Sequence, residues 1–253
     1  MNKLTVSIVN YNAGEYLIKC LESLRSLKNE LSMDIVVVDN ASIDSSINVA
    51  KKKFPEFKYI INKKNLGFGK AHNLAIKNAK TPYILVLNPD CRMGKGVIPY
   101  LYEFMESNKD VGVCSCRVEK EDGSLDKASH RGFPTPWASF LYFFLKNDRL
   151  YHLTDRNMSA PHEVDSVVGA FMFLRKKTLD ETGLFDEDYF LYGEDIDLCY
   201  RIKEKSYKVM YVPEVKIIHA KGVSSGIKKH SQEKSIASKH SKFVSIGFFY
   251  STM

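Results

Sequence analysis

Signals for membrane insertion and secretion are missing from this sequence. No apolar run reaches the length of about 18 residues that a transmembrane helix needs, so we expect no membrane-spanning segment. The chain starts with "MNKLTVSIVNYN", which enters a strand-like pattern at once and leaves no room for a signal peptide. Both absences predict a cytoplasmic protein.

Cysteine is scarce and scattered along the chain. No CxxC pair occurs, and the odd total of five excludes a complete set of disulfides within the chain. The cysteines are Cys20, Cys91, Cys114, Cys116 and Cys199. This usage is typical of reduced thiols, and Cys114 and Cys116 alone are a weak basis for a zinc site.

Two common phosphate-binding signatures are also absent. No GxGxxG follows the first predicted strand, and no GxxxxGK[ST] occurs anywhere, which excludes the dinucleotide fingerprint and the P-loop. Any nucleotide would have to be held in another way.

The positive charge is concentrated late in the chain. The net charge is +7, and residues 216–242 are rich in lysine with Glu233 as the one acidic residue. The segment 226–253 forms a basic and aromatic tail that ends in "FVSIGFFYSTM". Two interpretations of this tail stay open, namely a solvated segment and a contact with a membrane surface. Nucleic acid is not an expected partner, because no recognisable binding motif accompanies the charge.

The first hundred residues alternate strand and helix patterns. Strands are predicted over 4–10, 35–38, 58–62 and 83–87. Helices are predicted around Leu17 to Leu24, from a cap at Ser42 to about Phe54, and over 69–78. Repeated strand–helix–strand units of this kind predict a doubly wound, mostly parallel sheet.

The second half of the chain is less regular. Strands are predicted over 111–116, 167–174, 208–212 and 215–218, and a helix over 194–205. Residues 119–131 resemble a polar hairpin or loop, and residues 132–163 a long surface excursion. Within that excursion Trp137, Phe140, Tyr142 and Phe143 leave three interpretations open: core packing, an aromatic platform for a bound substrate, or a lipid contact.

Polar residues follow every strand of the first half. The strands end in Asn10-Tyr11-Asn12, Asp39-Asn40, Asn62 and Asn88-Pro89-Asp90. Each alone is compatible with an ordinary turn. Ligands, however, bind beyond the carboxyl ends of parallel strands, and four such ends at one edge predict a binding site.

The chemistry of these strand ends suits a nucleotide. The Asp39 carboxylate can accept hydrogen bonds from a base edge, and Tyr11 can pack on the ring. Asp90 offers a hard oxygen to a divalent cation that would neutralise a diphosphate. Pro89 ends the strand and fixes the backbone before Asp90.

Six segments in order resemble one family. They are "VSIVNYN" (6–12), "IVVVDNASIDSS" (35–46), "NKKNLGFGKAHNLAI" (62–76), "ILVLNPD" (84–90), "VVGAFMFLRKKTLDETGLFDEDYFLYGEDIDLCYRI" (167–202) and "YVPEVKIIHAKGVSS" (211–225). Together they resemble glycosyltransferase family 2, and especially its rhamnosyltransferase-like branch. The resemblance implies an α/β GT-A fold over 1–225, with a Rossmann-like, mostly parallel sheet and an antiparallel extension on the acceptor side. The nucleotide-binding half would span about 1–95 and the acceptor half about 96–225.

The resemblance also implies an activity. Such enzymes transfer a sugar with inversion from a nucleoside diphosphate, here dTDP-rhamnose or a UDP-sugar, to an acceptor hydroxyl. The implied acceptor is a glycan or a lipid-linked oligosaccharide of a bacterial surface polysaccharide, at the cytoplasmic face of the inner membrane. A non-catalytic subunit that binds a nucleotide-sugar is the alternative. The oligomeric state stays open.

The implied metal site centres on Asp90. Asn88-Pro89-Asp90 stands where the family has its DXD motif, with Asn in the first position, so Asp90 would hold the metal with His219 as second ligand. An imidazole ligand favours Mn²⁺ over Mg²⁺. A cap or a metal-free phosphate contact is the alternative role of His219.

The implied catalytic base belongs to the acidic pair at the start of the predicted helix 194–205. We expect Asp195 to be the base, with Glu194 as the alternative, and we expect the helix N-terminus to lower the carboxylate pKa. Arg201 either supports this helix through Asp197 or reaches the diphosphate. The full set of expected donor-binding residues is Tyr11, Asn12, Asp39, Asn40, Asn65, Gly67, Ala71, Asn88, Asp90, Gly169 and Arg201.

Overall fold

The computed structural model describes residues 2–220. The predicted tail over 226–253 therefore lies outside the described residues. Within 2–220, no helix has both the length and the apolar character needed to cross a membrane. All five cysteines fall in this range, and each is buried with a free thiol.

A single mixed sheet forms the centre of the molecule. Its strands are β1 (Leu4–Asn10), β2 (Met33–Asp39), β3 (Lys58–Ile61), β4 (Tyr83–Leu87), β5 (Cys91–Met93), β6 (Val111–Glu119), β7 (His162–Glu163), β8 (Phe171–Arg175) and β9 (Lys208–His219). The order across the sheet is β3-β2-β1-β4-β8-β6-β9-β5, with β7 paired to β9. The first four strands are parallel to one another, and β8 continues the sheet antiparallel to β4. This arrangement confirms the expected fold class.

Helices cover both faces of the sheet. They are α1 (Glu15–Ser26), α2 (Ser46–Lys53), α3 (Phe68–Lys77), α4 (Val97–Ser107), α5 (Pro136–Phe144), α6 (Lys176–Thr182) and α7 (Glu194–Glu204), with a short 3-10 helix at Lys127–Ser129.

The apolar run of β4 reflects burial on both faces of the sheet. Successive side chains of a strand point to opposite faces, so Leu85 and Leu87 join the core under α1 and α4, while Ile84 and Val86 join the core under α7. Hence β4 has no polar residue until the chain leaves the sheet at Asn88.

Three expectations about elements need correction. The prediction that a helix starts at Ser42 is wrong, because α2 begins at Ser46 and the Ser42 hydroxyl instead accepts hydrogen bonds from the Asn10 side chain and the Asn12 N–H. The stretch 132–163, expected to be an irregular surface excursion, contains the helix α5 and the short strand β7. The two short strands predicted over 208–218 form one strand, β9, whose register against β6 shifts between Cys116 and Arg117.

Candidate functional site

The ends of β1 and β2 are joined by a buried polar network. Asn10 and Asp39 are paired in register, and the Asn10 side-chain amide donates to the Asp39 carboxylate at 2.8 Å and to the Ser46 hydroxyl at 2.9 Å. The other Asp39 oxygen accepts from the Ser42 N–H at 3.1 Å. Asp39 therefore shapes the loop that follows β2, while half-buried Tyr11 lies just beyond the end of β1.

Asn12 and Asn40 fix the loops around this edge. Asn12 adopts a left-handed backbone conformation, and its side-chain oxygen accepts from the Ile43 N–H at 2.8 Å. Asn40, which is buried, donates to the Gly67 carbonyl at 2.9 Å and accepts from the Asn62 amide at 2.9 Å. The loop after β2 is thus bound to the glycine-bearing loop after β3.

The glycine-bearing loop approaches protein backbone closely. Gly67 has a φ of +84°, and a Cβ at this position would lie 2.4 Å from the Phe190 carbonyl oxygen. The Phe68 N–H donates to the same oxygen at 2.9 Å. Asn65 accepts from the Gly67 N–H at 2.9 Å and so shapes the turn. The glycine permits contact with the segment that leads into α7.

Ala71 of α3 is buried and has no solvent-exposed surface. It is fully buried in an apolar cluster with Val9, Val36, Val38 and Ala75, between α3 and the sheet. Its small side chain lets α3 pack closely on β1 and β2. Its expected contact with the nucleotide has no support in this placement.

Asp90 and His219 meet where β4 gives way to β5. The pairing of β5 with β9 sets Cys91 opposite His219, and the Asp90 carboxylate lies 3.2 Å from His219 Nε2. Apart from this ion pair, neither of the buried Asp90 oxygens has a hydrogen-bond partner among residues 2–220. A buried carboxylate in that condition is unfavourable unless a cation or a donor reaches it.

The electrostatics of His219 follow from its acidic neighbours. Its Nδ1 lies 3.7 Å from a carboxylate oxygen of Asp126. Burial alone lowers the pKa of the His219 imidazole, but the carboxylates of Asp126 and Asp90 outweigh burial and raise the pKa to about 9. The protonated ring therefore balances Asp90, and a divalent cation would compete with that proton.

The donor set around Asp90 fits a divalent metal. Ligand atoms of Asp90, Cys91 and His219 all lie within 4.8 Å of one another. The carboxylate oxygen and imidazole nitrogen suit Mn²⁺. Burial, followed by the charge of Asp90, raises the pKa of the Cys91 thiol well above its usual value, and Cys91 Sγ donates to the Ala170 carbonyl at 3.5 Å. The thiol stays protonated, so Asp90 and His219 remain the stronger candidates.

The two acidic residues that open α7 have different surroundings. One Asp195 oxygen accepts from the Arg131 guanidinium at 2.7 Å and from the Gly169 N–H at 2.9 Å. Glu194 Oε2 is buried without a hydrogen-bond partner among the described residues. Burial, and after it the charge of Asp195, raises the pKa of Glu194 to about 8. The expected lowering by the helix N-terminus therefore fails at Glu194, because desolvation outweighs the helix dipole.

Gly169 and Ala170 connect the acidic pair to the end of β4 at Asn88. The Gly169 N–H binds Asp195, and the neighbouring Ala170 carbonyl accepts from the Asn88 N–H at 2.9 Å. A Cβ on Gly169 would lie 3.0 Å from the Phe68 ring. The end of β4, the glycine-bearing loop and the start of α7 therefore converge on this dipeptide.

Arg201 is engaged within the protein. Its guanidinium binds Asp197 at 2.7 Å and donates to the Thr182 and Leu184 carbonyls at 2.7 and 2.8 Å. All three of its nitrogens are used in these contacts, so the structural alternative explains this residue.

Sequence reasoning missed two charged residues beside the site, Arg131 and Asp126. Both lie in the irregular stretch after β6, where no periodicity marks which side chains turn inward. A buried arginine needs an acidic partner, but the pattern does not indicate which carboxylate that partner is.

The comparisons with known proteins agree on the family. The model described as Glycosyl transferase family 2 matches residues 5–181. The N-acetylglucosaminyl-diphospho-decaprenol L-rhamnosyltransferase of Mycobacterium tuberculosis is 28% identical over 240 residues, which cover 88% of this chain and 78% of that protein. The rhamnosyltransferase WbbL of Escherichia coli (strain K12) is 28% identical over 221 residues, which cover 85% of this chain and 82% of WbbL.

Solved structures resemble this one at low sequence identity. GalNAc-T7 with UDP, GalNAc and Mn²⁺ matches at a TM-score of 0.66 and 15% identity, covering 87% of this chain but 44% of its own. Staphylococcus aureus TarS 1–349 in complex with UDP matches at a TM-score of 0.59 and 18% identity. The match covers 85% of this chain and 60% of the TarS chain. These likenesses support the fold alone. The chain belongs to glycosyltransferase family 2 and has the GT-A fold.

Proposed function

We propose that this protein is an inverting, metal-dependent glycosyltransferase. It transfers a sugar from dTDP-rhamnose or a UDP-sugar to a hydroxyl of a lipid-linked oligosaccharide. The rhamnose donor is the first choice because two relatives that match most of the chain are named as rhamnosyltransferases. The lipid-linked acceptor is favoured because one of them is named for a diphospho-decaprenol substrate. Residues 1–225 would form one domain, in which about 1–95 bind the nucleotide-sugar donor and about 96–225 bind the acceptor.

The observation that carries this proposal is the Asp90 carboxylate. It is buried, it pairs within residues 2–220 with His219 at 3.2 Å, and its two oxygens have no other hydrogen bond there. Asp90 and His219 would hold Mn²⁺ or Mg²⁺. Such a cation supplies positive charge that neutralises a diphosphate leaving group. Asn88 adds an amide at this edge, with its Nδ2 3.5 Å from His219 Nε2.

Asp195 is the proposed general base. Its ion pair with Arg131 and its bond to the Gly169 N–H fix one carboxylate oxygen, so the side chain has a defined orientation. The attacking acceptor hydroxyl would give its proton to this carboxylate. Burial and the neighbouring charge of Asp195 raise the pKa of Glu194, which favours its protonated form, so Glu194 suits hydrogen-bond donation to the acceptor better than proton abstraction.

Tyr11, Asp39 and Asn40 remain the proposed nucleotide contacts. Tyr11 is partly exposed beyond β1, which leaves its ring available for a base. The hydrogen bonds of Asp39 and Asn40 hold the loops after β2 and β3, so these side chains would act on the nucleotide largely by shaping its binding edge.

The function is tested by transfer from a panel of nucleotide-sugars to lipid extracted from bacterial membranes. We expect turnover of dTDP-rhamnose or a UDP-sugar with Mn²⁺, and none after chelation. Donor binding by calorimetry without transfer to any extracted lipid would instead favour the non-catalytic, nucleotide-sugar-binding alternative. Turnover that is indifferent to metal and to Asp90→Ala would refute the proposed site.

A further inference from the structure

Helix α5 turns its apolar side chains outward. Ala138 is its one buried residue, while Trp137, Phe143 and Phe144 are 60%, 65% and 74% exposed. Leu145, at the C-terminal end of the helix, is 61% exposed. A surface helix of a globular protein ordinarily directs its apolar stripe to the core and its polar stripe to water. The orientation of α5 is the reverse, and exposed apolar patches of this kind mark interaction sites.

The exposed rings form a continuous aromatic ridge, made of Trp137, Phe140 and Phe144. Neighbouring rings in this ridge stack with centroids 5.6 and 5.3 Å apart. The opposite side of the helix is attached to the protein by Tyr142, whose ring contacts Tyr151 at 4.9 Å. One side of the helix therefore packs on the protein through Tyr142, and the aromatic ridge on the other side faces solvent.

The charges beside the ridge indicate what it meets. No charged residue occurs from 132 to 145, and Lys146, Asp148 and Arg149 follow the helix, with Asp148 paired to Lys127 at 2.6 Å. Lys146 and Arg149 are exposed. Arg149 pairs with Asp155 at 3.1 Å at the surface, and Lys146 has no ion-pair partner within residues 2–220. Tryptophan and phenylalanine next to lysine and arginine are the composition of a membrane interface, where rings enter the acyl boundary and cations contact anionic headgroups.

We propose that α5 is an interfacial helix that inserts the aromatic ridge into the surface of an anionic phospholipid bilayer, with Lys146 and Arg149 on the headgroups. The proposed contact uses residues of α5 and of the chain just after it, and none from the predicted tail over 226–253. Binding to the bilayer does not depend on the catalytic proposal.

The position of α5 gives the contact a consequence for catalysis, which rests on the proposed function. Arg131, which pairs with Asp195, lies just before the helix in sequence, and the Phe133 ring contacts Tyr200 of α7 at 5.6 Å. The start of α7 is thus linked to α5 by a short stretch of ordered chain. An α5 lying in the interface would bring Asp195 near the plane in which a lipid-linked acceptor presents its hydroxyl.

The test uses the full chain and its single tryptophan, Trp137. Vesicles of phosphatidylethanolamine and phosphatidylglycerol should shift its fluorescence to the blue, and lipids brominated in the acyl chains should quench it. Vesicles of phosphatidylcholine alone should do so at least tenfold more weakly. The double variant Phe140→Ser/Phe144→Ser, which keeps Trp137, should lose at least tenfold in vesicle affinity.

A matched control is Tyr100→Ser, which removes a 41% exposed ring from α4 and should bind as the unaltered protein does. Circular dichroism establishes that each variant is folded. Vesicle binding without quenching of Trp137, or unchanged binding by the double variant, would overturn the proposal. So would a blue shift that depends on protein concentration and not on lipid, since it would mean that a second copy covers the ridge. Vesicle binding with quenching, but without sugar transfer, would refute the proposed function alone.

Discussion

The guanidinium of Arg131 lies 2.7 Å from the carboxylate of Asp195, and both side chains are largely buried. Removing one member of such a pair leaves an uncompensated buried charge. Arg131→Met should therefore lower the free energy of unfolding by about 3–5 kcal/mol. The double variant Arg131→Met/Asp195→Asn should recover part of that loss, because no lone charge remains. Chemical denaturation of the unaltered protein, the two single variants Arg131→Met and Asp195→Asn, and the double variant measures the coupling energy between the two side chains. Losses in the free energy of unfolding that simply add would mean that the pair is not formed.

Asp195→Asn tests the base. It keeps a hydrogen-bond acceptor for the Gly169 N–H but cannot take a proton. We expect sugar transfer to fall by about 10²- to 10⁴-fold, while donor binding measured by calorimetry stays unchanged. Asp197→Asn, in the same turn of α7, is the control and should retain near-normal turnover, because Asp197 binds Arg201. Equal losses in the two variants would point to damage to α7.

Glu194 should make stability depend on pH. Its folded-state pKa of about 8 lies above the ordinary 4.5, so protonation stabilises the fold. That stabilisation is complete below about pH 4.5 and is lost as the pH rises to about 8, by at most about 1.4 kcal/mol per pH unit.

The measurement is thermal unfolding of the protein and of Glu194→Gln across pH 5 to 9. The unaltered protein should lose stability relative to the variant over this window. Glu204→Gln, at the exposed end of the same helix, should track the unaltered protein. Parallel curves for all three would show that Glu194 is ionised throughout.

Gly67→Ala combines an unfavourable backbone conformation with a clash against the Phe190 carbonyl. Gly123 provides a control for positive φ, because its φ is +80° and a Cβ there meets nothing within 4 Å. Strain at positive φ alone costs about 1–2 kcal/mol, so Gly123→Ala should lose about that much in the free energy of unfolding. Gly67→Ala should lose about 2–4 kcal/mol and bind donor more weakly. Equal losses would mean that the contact with Phe190 is unimportant.

The sequence predicted the elements whose pattern follows directly from burial. β4 matched its prediction, because a strand buried on both faces is apolar without interruption until it reaches Asn88. Asp90 was singled out in the same way, as the carboxylate just after that strand, and its role as a metal ligand stays a prediction. Ser42 was misassigned, because a serine before a helical pattern caps equally well at several positions and the tertiary contact with Asn10 decided between them.

Contacts between distant segments were beyond the reach of the pattern. Arg131 pairs with Asp195 across 64 positions of sequence, and no periodicity links the two. The open alternatives for Trp137 and Phe140 had the same origin, since an apolar run predicts burial and does not reveal that a helix faces outward. The raised pKa of Glu194 depends on its burial in the folded protein, which the helix position alone did not indicate.

The most direct measurement is calorimetric titration of dTDP-rhamnose or a UDP-sugar, with and without Mn²⁺, into the unaltered protein, Asp90→Asn and Asp195→Asn, with transfer assayed in parallel. We expect Mn²⁺ to tighten donor binding in the unaltered protein and in Asp195→Asn, but not in Asp90→Asn, and we expect both variants to lose transfer. Donor binding and transfer that are the same in Asp90→Asn as in the unaltered protein would contradict a metal-assisted site at Asp90.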